Sequence, residues 1–517
     1  MLCRPHEAAT VHARIATARR RGDDLPLAAT HALRMGPDLW RARRRLLVRA
    51  VILAWTVIFG ATHVLEVAIP DSPGKISVDT RMQLRWIARS ITDFDAEFAQ
   101  RHFPEGELFT YEFYGLALEN VAETTHDPED IAIAAREVRA MLPKIDALLT
   151  HAPFNQMSRA PVRGGICWFA GQSLLRGRLL ALVSDASPAE VKRFQDDSAV
   201  LARGFAGSAS GVLEAYPGMS WPVDSLFGYR SLQIHDRLYG TKLFATFARF
   251  KQTMIRAQDP ATGLMPSLLY LDGRPRDVPR GCALSWSLAV LPDLDPEYAA
   301  AQWAAYRRAF ARCAGGLCLF REYRAGLVRG PDSDSGPLVA GLGMSASAFA
   351  LAGARASGDM DTAESLRRVG ELLGMPALSW WGKRYLGGKI ALFDVLSVWT
   401  RTVPTPATVS GSIAWTPVLA LAAVWAGLAA LAFRGFRRAR EEQLRAEGES
   451  SWERALFAAT GAALALHLIW PAFLGVFLMT ALLVLGAVSR RGAGRSPTKA
   501  RSRVVDREYR AVEETSR

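Results

Sequence analysis

The sequence is poor in the residues that build metal centres and redox sites. It has five cysteines and nine histidines in 517 residues. It contains no C-x2-C pair and no H-E-x-x-H motif, so we expect neither a metal site nor a cofactor. Cys167 and Cys282 are isolated in the sequence. We interpret them as small buried residues, with a mutual disulfide or a place in a pocket as the alternatives.

Alternating strand patterns are also scarce. Only Ser267–Leu271 and Leu317–Tyr323 predict short hairpin pieces. Amphipathic helical periods dominate from Val78 to Val403 instead. The predicted helices are Thr80–Gln100, Leu108–Glu123, Pro128–Leu149, Gly165–Ser184, Pro188–Ala202, Asp224–Tyr239, Lys242–Gln258, Cys282–Leu291, Pro296–Cys313, Met344–Ser357, Thr362–Leu373 and Leu392–Val403.

The number and pairing of these helices predict the fold class. About twelve helices arriving in pairs favour an all-α domain, an (α/α)6 toroid of six inner and six outer helices. An open helical solenoid is the alternative, but no fixed repeat period is visible. In a toroid the loops at one rim converge on a central pocket. Polar and aromatic residues in those loops are therefore the candidates for a site.

Two apolar segments with arginine clusters flank this helical region. Leu46–Ile69 follows arginines at positions 41–45, and Ile413–Phe433 is followed by arginines from position 434 onward. Each is near the ~20 residues that a helix needs to cross a bilayer. Because positive charge stays in the cytoplasm, the first segment is expected to run outward and the second to return. Residues 75–403 would then lie outside the cytoplasm of a multi-pass protein of the cell membrane.

A third apolar block, Ala455–Val488, is divided by Pro471. It is too long for one span at 1.5 Å per residue, so we predict a hairpin of two transmembrane helices. One tilted, kinked helix is the alternative. The basic segments 1–45, 434–454 and 489–517 are then cytoplasmic.

The net charge of +13 comes largely from these membrane flanks. This distribution favours a lipid bilayer as partner and argues against nucleic acid. About 45 polar, arginine-rich residues precede the first apolar segment, which is therefore expected to be an uncleaved anchor. An oxidising exterior would let Cys313 and Cys318 close a small loop.

The first candidate site segment is the loop from Glu214 to Asp224. Two prolines and a glycine exclude a regular helix here. Tyr216 and Trp221 would form an aromatic wall beside the two carboxylates. The alternative for Asp224 is the N-cap of the following helix.

The second segment is Arg321-Glu322-Tyr323 followed by Asp332-Ser-Asp334. Close-spaced carboxylates can raise one pKa and so separate an acid from a base. Turn formation by the aspartates and a calcium loop are the alternatives. The third segment, Leu108–Gly115, places Tyr111 and Tyr114 on one helix face, where a tyrosine can orient a substrate oxygen or simply pack in the core.

The order of these features resembles the linalool dehydratase/isomerase family. The resemblance runs from Trp86 to Leu373 and is clearest at Leu232-Gln-Ile-His-Asp-Arg-Leu-Tyr-Gly-Thr-Lys242. It implies an α/α six-hairpin toroid that dehydrates or isomerises a tertiary terpene alcohol by acid-base chemistry without a metal. The family tyrosine matches Tyr111, two family cysteines fall on Glu214 and Val223, a tyrosine corresponds to Cys282, and an aspartate has an ambiguous counterpart in Asp93. The family histidine has no counterpart near Gly165.

Three functions are therefore open for the domain. The first is a lyase/isomerase acting on a hydroxylated, terpenoid small molecule. Glu214, Asp332, Asp334 and Tyr111 would be catalytic, and Tyr114, Tyr216, Trp221, Asp224, Cys282 and Glu322 would contact substrate. The second is a glycosidase or polysaccharide lyase, with Trp221, Trp380 and Trp381 stacking on sugars. The third is a non-catalytic binding module of the cell envelope.

Overall fold

A computed structural model describes residues 27–91, 93–157, 162–379 and 382–447. Within this part the chain forms two compact units. The helical-pair unit comprises 27–69 and 414–447, and the ring unit comprises 70–413. The predicted membrane hairpin at Ala455–Val488, the basic tail, and Trp380 and Trp381 lie outside the described residues.

The structure is mostly helical, as predicted. Helices α1 to α8 are Leu27–Ala68, Val78–Ser90, Asp93–His102, Gly106–Thr125, Pro128–Leu148, Gly165–Leu182, Pro188–Gly207 and Pro222–Tyr239. Helices α9 to α15 are Phe247–Arg256, Gly281–Leu294, Pro296–Phe310, Met344–Ala356, Met360–Leu373, Ala391–Thr402 and Trp415–Glu447.

In the helical-pair unit, α1 and α15 pack against each other in opposite directions. Arg45 pairs with Glu442 at 3.1 Å near one end. Further along, the Trp425 ring packs edge-on against Phe59 at 5.0 Å. The arginine clusters of both helices therefore lie at the same end of the pair. Both Arg41–Ala68 and Trp415–Arg445 are long and apolar enough to cross a membrane.

Six helices of the ring unit follow one another around a closed circuit. The inner helices α4, α6, α8, α10, α12 and α14 each pack against the next, and α14 packs against α4. The remaining helices lie outside this circuit: α5 packs on α4 and α6, α7 on α6 and α8, α11 on α10, and α13 on α12. The predicted arrangement of inner and outer helices is thus present in the helix contacts.

The sequence of the inner helices explains their central position. Helix α4 is apolar on every side and is buried from Gly106 to Ala122 with little interruption, as expected for a helix covered by neighbours all round. Aromatic side chains of several inner helices fill the centre. Phe113 stacks on Trp286 at 5.1 Å and meets Trp399 at 4.7 Å, and Trp286 packs on Phe349 at 4.8 Å.

Four two-stranded antiparallel hairpins interrupt the helices within the described residues, so the domain is not purely α. They are β1–β2 (Leu268–Leu269 with Pro275–Asp277), β3–β4 (Ala311–Ala314 with Leu317–Phe320), β5–β6 (Leu338–Val339 with Leu342–Gly343) and β7–β8 (Ala377–Ser379 with Gly382–Arg384). The two predicted hairpin pieces fall on β1 and β4. Cys313 and Cys318 face each other across β3–β4 and form a disulfide, which their spacing in the sequence allows.

Two predicted helices are broken in the structure. The helix predicted at Thr80–Gln100 is interrupted after Ser90 and forms α2 and α3. The helix predicted from Lys242 begins instead with a 3-10 turn, Leu243–Thr246, before α9. The carboxylate of Asp236 accepts hydrogen bonds from the backbone of Leu243 and Phe244 at 2.8 and 2.9 Å, which holds this turn on the end of α8.

A buried ionic cluster connects the first helix of the ring unit, α2, with its last elements, α13, β8 and α14. Lys383 is buried and binds both Glu371 and Asp79 at 2.7 Å, and Arg401 binds Asp79 at 2.8 Å. Burial would raise the pKa of Asp79, but Arg401 and Lys383 outweigh it and lower that pKa to about 2. The cluster joins α2 to β8, α13 and α14.

Candidate active site

The N-terminal ends of the inner helices gather chemically reactive side chains at one rim of the ring. The first turns of α6, α8 and α10 all lie within electrostatic range of the Asp334 carboxyl group, and those of α6 and α8 also lie within range of Glu105. These turns carry Glu105 before α4, Cys167 in α6, Asp224 in α8 and Cys282 in α10. We call this end the acidic rim.

Three carboxyl groups of the acidic rim lie within electrostatic range of one another. Burial raises the pKa of Asp224 well above its usual value, and the charges of Glu105 and Asp334 raise it further. Burial also raises the pKa of Glu105, even though the Tyr216 hydroxyl donates a hydrogen bond to its carboxylate. Burial and the neighbouring like charges thus both favour the protonated forms of these groups.

Glu112 adds a fourth carboxyl group to the wall of this site. It is buried on α4 against Gly171 of α6, where an added Cβ would lie only 1.8 Å from its Oε1. Among the described residues its Oε2 atom has no hydrogen-bond partner. Burial raises its pKa well above the usual value, and Asp224 raises it further. Burial, with no cation beside it in the described part of the chain, therefore favours the protonated form of Glu112.

Arg280 binds a second group of carboxylates at the acidic rim. Its guanidinium contacts Asp332 at 2.6 Å, Glu322 at 2.9 Å and Asp334 at 3.9 Å. Burial would raise the pKa of Asp332, but the Ser335 backbone N–H and Arg280 outweigh it and lower that pKa. Burial and the charge of Asp332 raise the pKa of Asp334. The pKa values of the two aspartates are thus shifted in opposite directions, and Asp332 also forms the alternative turn with Ser335.

Cys282 and Glu322 bind each other. The Glu322 carboxylate accepts hydrogen bonds from the Cys282 backbone N–H at 3.1 Å and from its Sγ at 3.0 Å. Burial, followed by the Glu322 charge, raises the pKa of the Cys282 thiol well above its usual value. The thiol is therefore neutral. The hydrogen bonds of this pair hold the segment that follows β4 against the first turn of α10.

Aromatic side chains flank the carboxyl groups. The rings of Tyr216 and Trp221 meet edge to face at 5.7 Å. Phe109 packs edge to face on Trp286 at 5.0 Å, one helical turn below Glu105. The predicted aromatic wall of the Glu214–Asp224 loop is present, and it continues inward to the aromatic centre of the ring.

Three predicted residues are not brought into the carboxyl cluster. Tyr111 lies under Lys144 of α5, with the nitrogen 5.3 Å from the ring centre. Burial and the charge of Glu137, also on α5, raise the pKa of Tyr114. The two tyrosines thus share a face, as predicted, but that face packs on an outer helix. The Glu214 carboxylate accepts a hydrogen bond from the Gly218 backbone at 2.5 Å, within its own loop.

The N-cap interpretation of Asp224 is wrong. Helix α8 begins at Pro222, and Trp221 occupies the cap position. Proline at the first helical position needs no capped N–H, so the helix starts earlier than the polar residue suggested. Asp224 is left in the first turn with its carboxyl group among the other acids.

Three residues of the rim were not predicted as part of the site, namely Glu105, Glu112 and Arg280, and for Cys167 a place in a pocket was only an alternative. Glu112 had a detectable signal, because it is a charged residue flanked by aromatic and apolar residues in the first half of α4. Cys167 is a free cysteine, as is Cys282, so they form no mutual disulfide. Burial, then Asp224, Glu105 and Glu112, raise the pKa of the Cys167 thiol, which places it beside the acids.

Comparisons with known proteins do not assign the chain to a family. No model of a protein family matches it, and no curated protein does. The solved unsaturated glucuronyl hydrolase from Bacillus sp. GL1, described as responsible for glycosaminoglycan degradation, is similar over 69% of this chain and 96% of its own, at 11% identity and a TM-score of 0.37. The unsaturated glucuronyl hydrolase from Streptococcus agalactiae is similar over 64% and 98%, at 10% identity and a TM-score of 0.34. At these scores the likeness identifies neither a family nor an activity.

Proposed function

We propose that the ring unit is an acid-base enzyme that hydrolyses a glycosidic C–O bond at the acidic rim. The observation that carries this proposal is the convergence of Glu105, Glu112 and Asp224, whose pKa values burial raises, on one rim with Asp334, which lies 3.9 Å from Arg280. Protonated carboxyl groups at neutral pH are the general acids that glycoside hydrolysis requires.

Asp224 is our candidate for the general acid. It lies in the first turn of α8. Its carboxyl group makes no hydrogen bond to another described residue, so its proton can be donated to a substrate. Protonation of the leaving oxygen by such a group contributes typically 10²–10⁴-fold to a rate.

Asp334 is our candidate for the general base. When like-charged groups share protons, the first to ionise is the one nearest a cation. Arg280 lies 3.9 Å from Asp334 and also binds Asp332. Of the carboxyl groups in the cluster, Asp334 is therefore the one whose ionised form a cation stabilises. Ionised Asp334 would take a proton from water while Asp224 gives one to the leaving group. Asp332, held by Arg280 and Ser335, keeps the loop in place.

The lining of the rim favours a polyhydroxylated substrate over an apolar one. Carboxyl groups, a guanidinium and the Tyr216 hydroxyl surround the acids, which suits a molecule carrying several hydroxyl groups. The edge-to-face pair of Tyr216 and Trp221 offers ring surface for the apolar face of a sugar.

The test is a screen of the purified full-length chain against chromogenic glycosides and uronic-acid-containing oligosaccharides. We expect Asp224→Asn and Asp334→Asn each to reduce kcat about a hundredfold or more on the substrate that is found. Glu214→Gln is the matched control, because its carboxylate is held by Gly218 within its own loop. Full activity of both aspartate variants would contradict the assignment.

The second candidate is dehydration or isomerisation of a terpene alcohol, as the linalool dehydratase/isomerase resemblance implies. The observation that favours it is the aromatic floor of Phe109, Phe113 and Trp286 below the acids. A protonated carboxyl above an apolar floor could protonate a tertiary hydroxyl leaving group. Turnover of linalool with no activity on any glycoside would select this function. If neither class reacts and rim variants leave the cellular phenotype unchanged, a non-catalytic binding module is favoured.

We also infer that α1 and α15 anchor the chain in the cell membrane with the ring unit outside the cytoplasm. Support comes from arginine clusters at one end of the pair. It also comes from exposed apolar side chains along both helices, namely Ile52, Val57, Leu65, Leu419, Val424, Leu428 and Leu431. The Cys313–Cys318 disulfide suits an oxidising compartment. Single cysteines labelled with a membrane-impermeant maleimide in intact cells would test this. A cysteine introduced at the exposed position Val328 (Val328→Cys) should react, and one introduced at a cytoplasmic position should not.

A further inference from the structure

A cavity lies away from the acidic rim, towards the C-terminal ends of several inner helices. Its volume is about 540 Å³, within the range of small-molecule sites. The C-terminal halves of α4, α6 and α10 contribute to its lining, together with the middle of α8, helix α11 and the segment after α14. None of the residues assigned to the acidic rim lines it.

Two arginines enter this cavity from neighbouring inner helices. Arg178 binds Glu123 at 2.7 Å, and Arg230 binds Asp293 at 2.9 Å. The arginine side chains are only 17% and 12% exposed, whereas their carboxylate partners are 48% and 54% exposed. The cations therefore lie inside the cavity and the anions at its mouth, where water weakens their attraction.

Each buried arginine is paired with a carboxylate that is itself about half exposed to water. Burial lowers the pKa of Arg230 in spite of Asp293, and the charge of Arg178 lowers it further. Arg178 also lies 3.5 Å from Glu119, which is completely buried. Burial raises the pKa of Glu119 well above its usual value in spite of Arg178, which disfavours its charged form. An anion between the two guanidiniums would stabilise their charged forms.

The rest of the lining is mainly apolar. Phe227, Val290 and Trp399 face the cavity, and so does Ser357, whose hydroxyl is buried without a hydrogen-bond partner among the described residues. The cavity thus combines two desolvated cations, an apolar wall and a free hydroxyl. Guanidinium groups favour carboxylate and phosphate through paired N–H donors.

We propose that this cavity is a binding site for a small amphiphilic organic anion, with its acidic group between Arg178 and Arg230 and its apolar body against Phe227 and Trp399. The half-exposed carboxylates of Glu123 and Asp293 would swing into solvent when the ligand enters. The site is separate from the acidic rim and does not depend on the chemistry proposed there.

Calorimetric titration of the full-length chain in detergent tests the proposal. The probe is 4-phenylbutyrate, and its neutral analogue 4-phenylbutanol and inorganic phosphate are the comparison ligands. We expect saturable binding of phenylbutyrate, at least tenfold tighter than either comparison ligand. Loss of a charge-assisted hydrogen bond in Arg230→Gln or Arg178→Gln should weaken it about tenfold or more.

Two variants separate this site from other effects. Arg237→Gln removes an exposed arginine from the same helix as Arg230, and Asp224→Asn alters the acidic rim. Both should bind phenylbutyrate as the unaltered chain does. Equal binding of phenylbutanol, absence of saturable binding, or loss of binding in Asp224→Asn but not in Arg230→Gln would overturn the proposal. If an arginine variant fails to fold, the comparison of acid with alcohol on the unaltered chain still decides.

Discussion

Replacing Asp394 by asparagine should stabilise the protein at neutral and alkaline pH. Asp394 is completely buried on α14, where its Oδ1 accepts a hydrogen bond from the Tyr385 backbone at 2.7 Å. Its Oδ2 has no partner among the described residues. Burial raises its pKa from 3.8 to about 7. An asparagine keeps the acceptor for Tyr385 and removes the need to bury a charge.

The size of the effect follows from that shift. The folded chain holds a proton on Asp394 up to about pH 7, whereas the unfolded chain loses it near pH 4. The stabilising contribution of this group is therefore complete below pH 4 and is lost as pH rises to about 7. A rise from 3.8 to about 7 corresponds to about 4 kcal/mol at pH 8. At pH 4.5 the difference from Asp394→Asn should shrink to about 1 kcal/mol.

The assay is thermal unfolding of the full-length chain and the variant in detergent from pH 4.5 to 8.5. We expect the Tm of Asp394→Asn to exceed that of the unaltered chain by several degrees at pH 8 and to converge with it in acid. Asp196→Asn, at an exposed position of α7, is the matched control. Parallel Tm curves for Asp394→Asn and the unaltered chain would refute the reasoning, because they would mean that Asp394 is not held protonated by the fold.

Two further changes test the packing of the site and the closure of the ring. Gly171→Ala should cost about 1–3 kcal/mol of stability and displace Glu112, since the new Cβ overlaps its carboxylate. Gly370→Ala, which has open space beside it in α13, should be neutral or slightly stabilising in the same melting assay. Lys383→Met should cost about 3–5 kcal/mol because it removes one of the two buried cations, Lys383 and Arg401, that pair with Glu371 and Asp79. Exposed Lys192→Met should change the Tm little, and equal effects at both lysines would contradict a structural role for the cluster.

Helix positions in the ring unit were predictable because they depend on local patterns. Asp127-Pro128, Ser187-Pro188 and Asp295-Pro296 begin α5, α7 and α11 as expected, each with a side chain accepting a backbone N–H. Such capping signals involve residues only a few positions apart. The same locality explains why β5–β6 and β7–β8 were missed, since strands of two or three residues have no period to detect.

The site was predictable only in part because it depends on which face each helix turns inward. Tyr111, Glu112 and Tyr114 lie within four positions on α4, yet only the carboxyl group faces α6 and the acidic rim. A helix that is apolar on every side gives no hydrophobic period to orient it. The two tyrosines were chosen for their chemistry, but their face packs on α5. The charged residue was the better guide, because burial without an ion pair is costly.

Helix α4 extends from the acidic rim to the cavity that Arg178 and Arg230 line. Helix α4 carries two buried carboxyl groups, Glu112 near its start and Glu119 two turns later. Glu112 interacts with Asp224 of the acidic rim, whose charge raises its pKa beyond the effect of burial. Glu119 lies beside Arg178 of the cavity, and burial raises its pKa in spite of that cation. One inner helix thus favours proton transfer at the acidic rim and anion binding in the cavity. Glu112→Gln should therefore affect chemistry at the acidic rim alone, and Glu119→Gln should leave that chemistry intact while preserving phenylbutyrate binding, because a neutral glutamine reproduces the protonated acid.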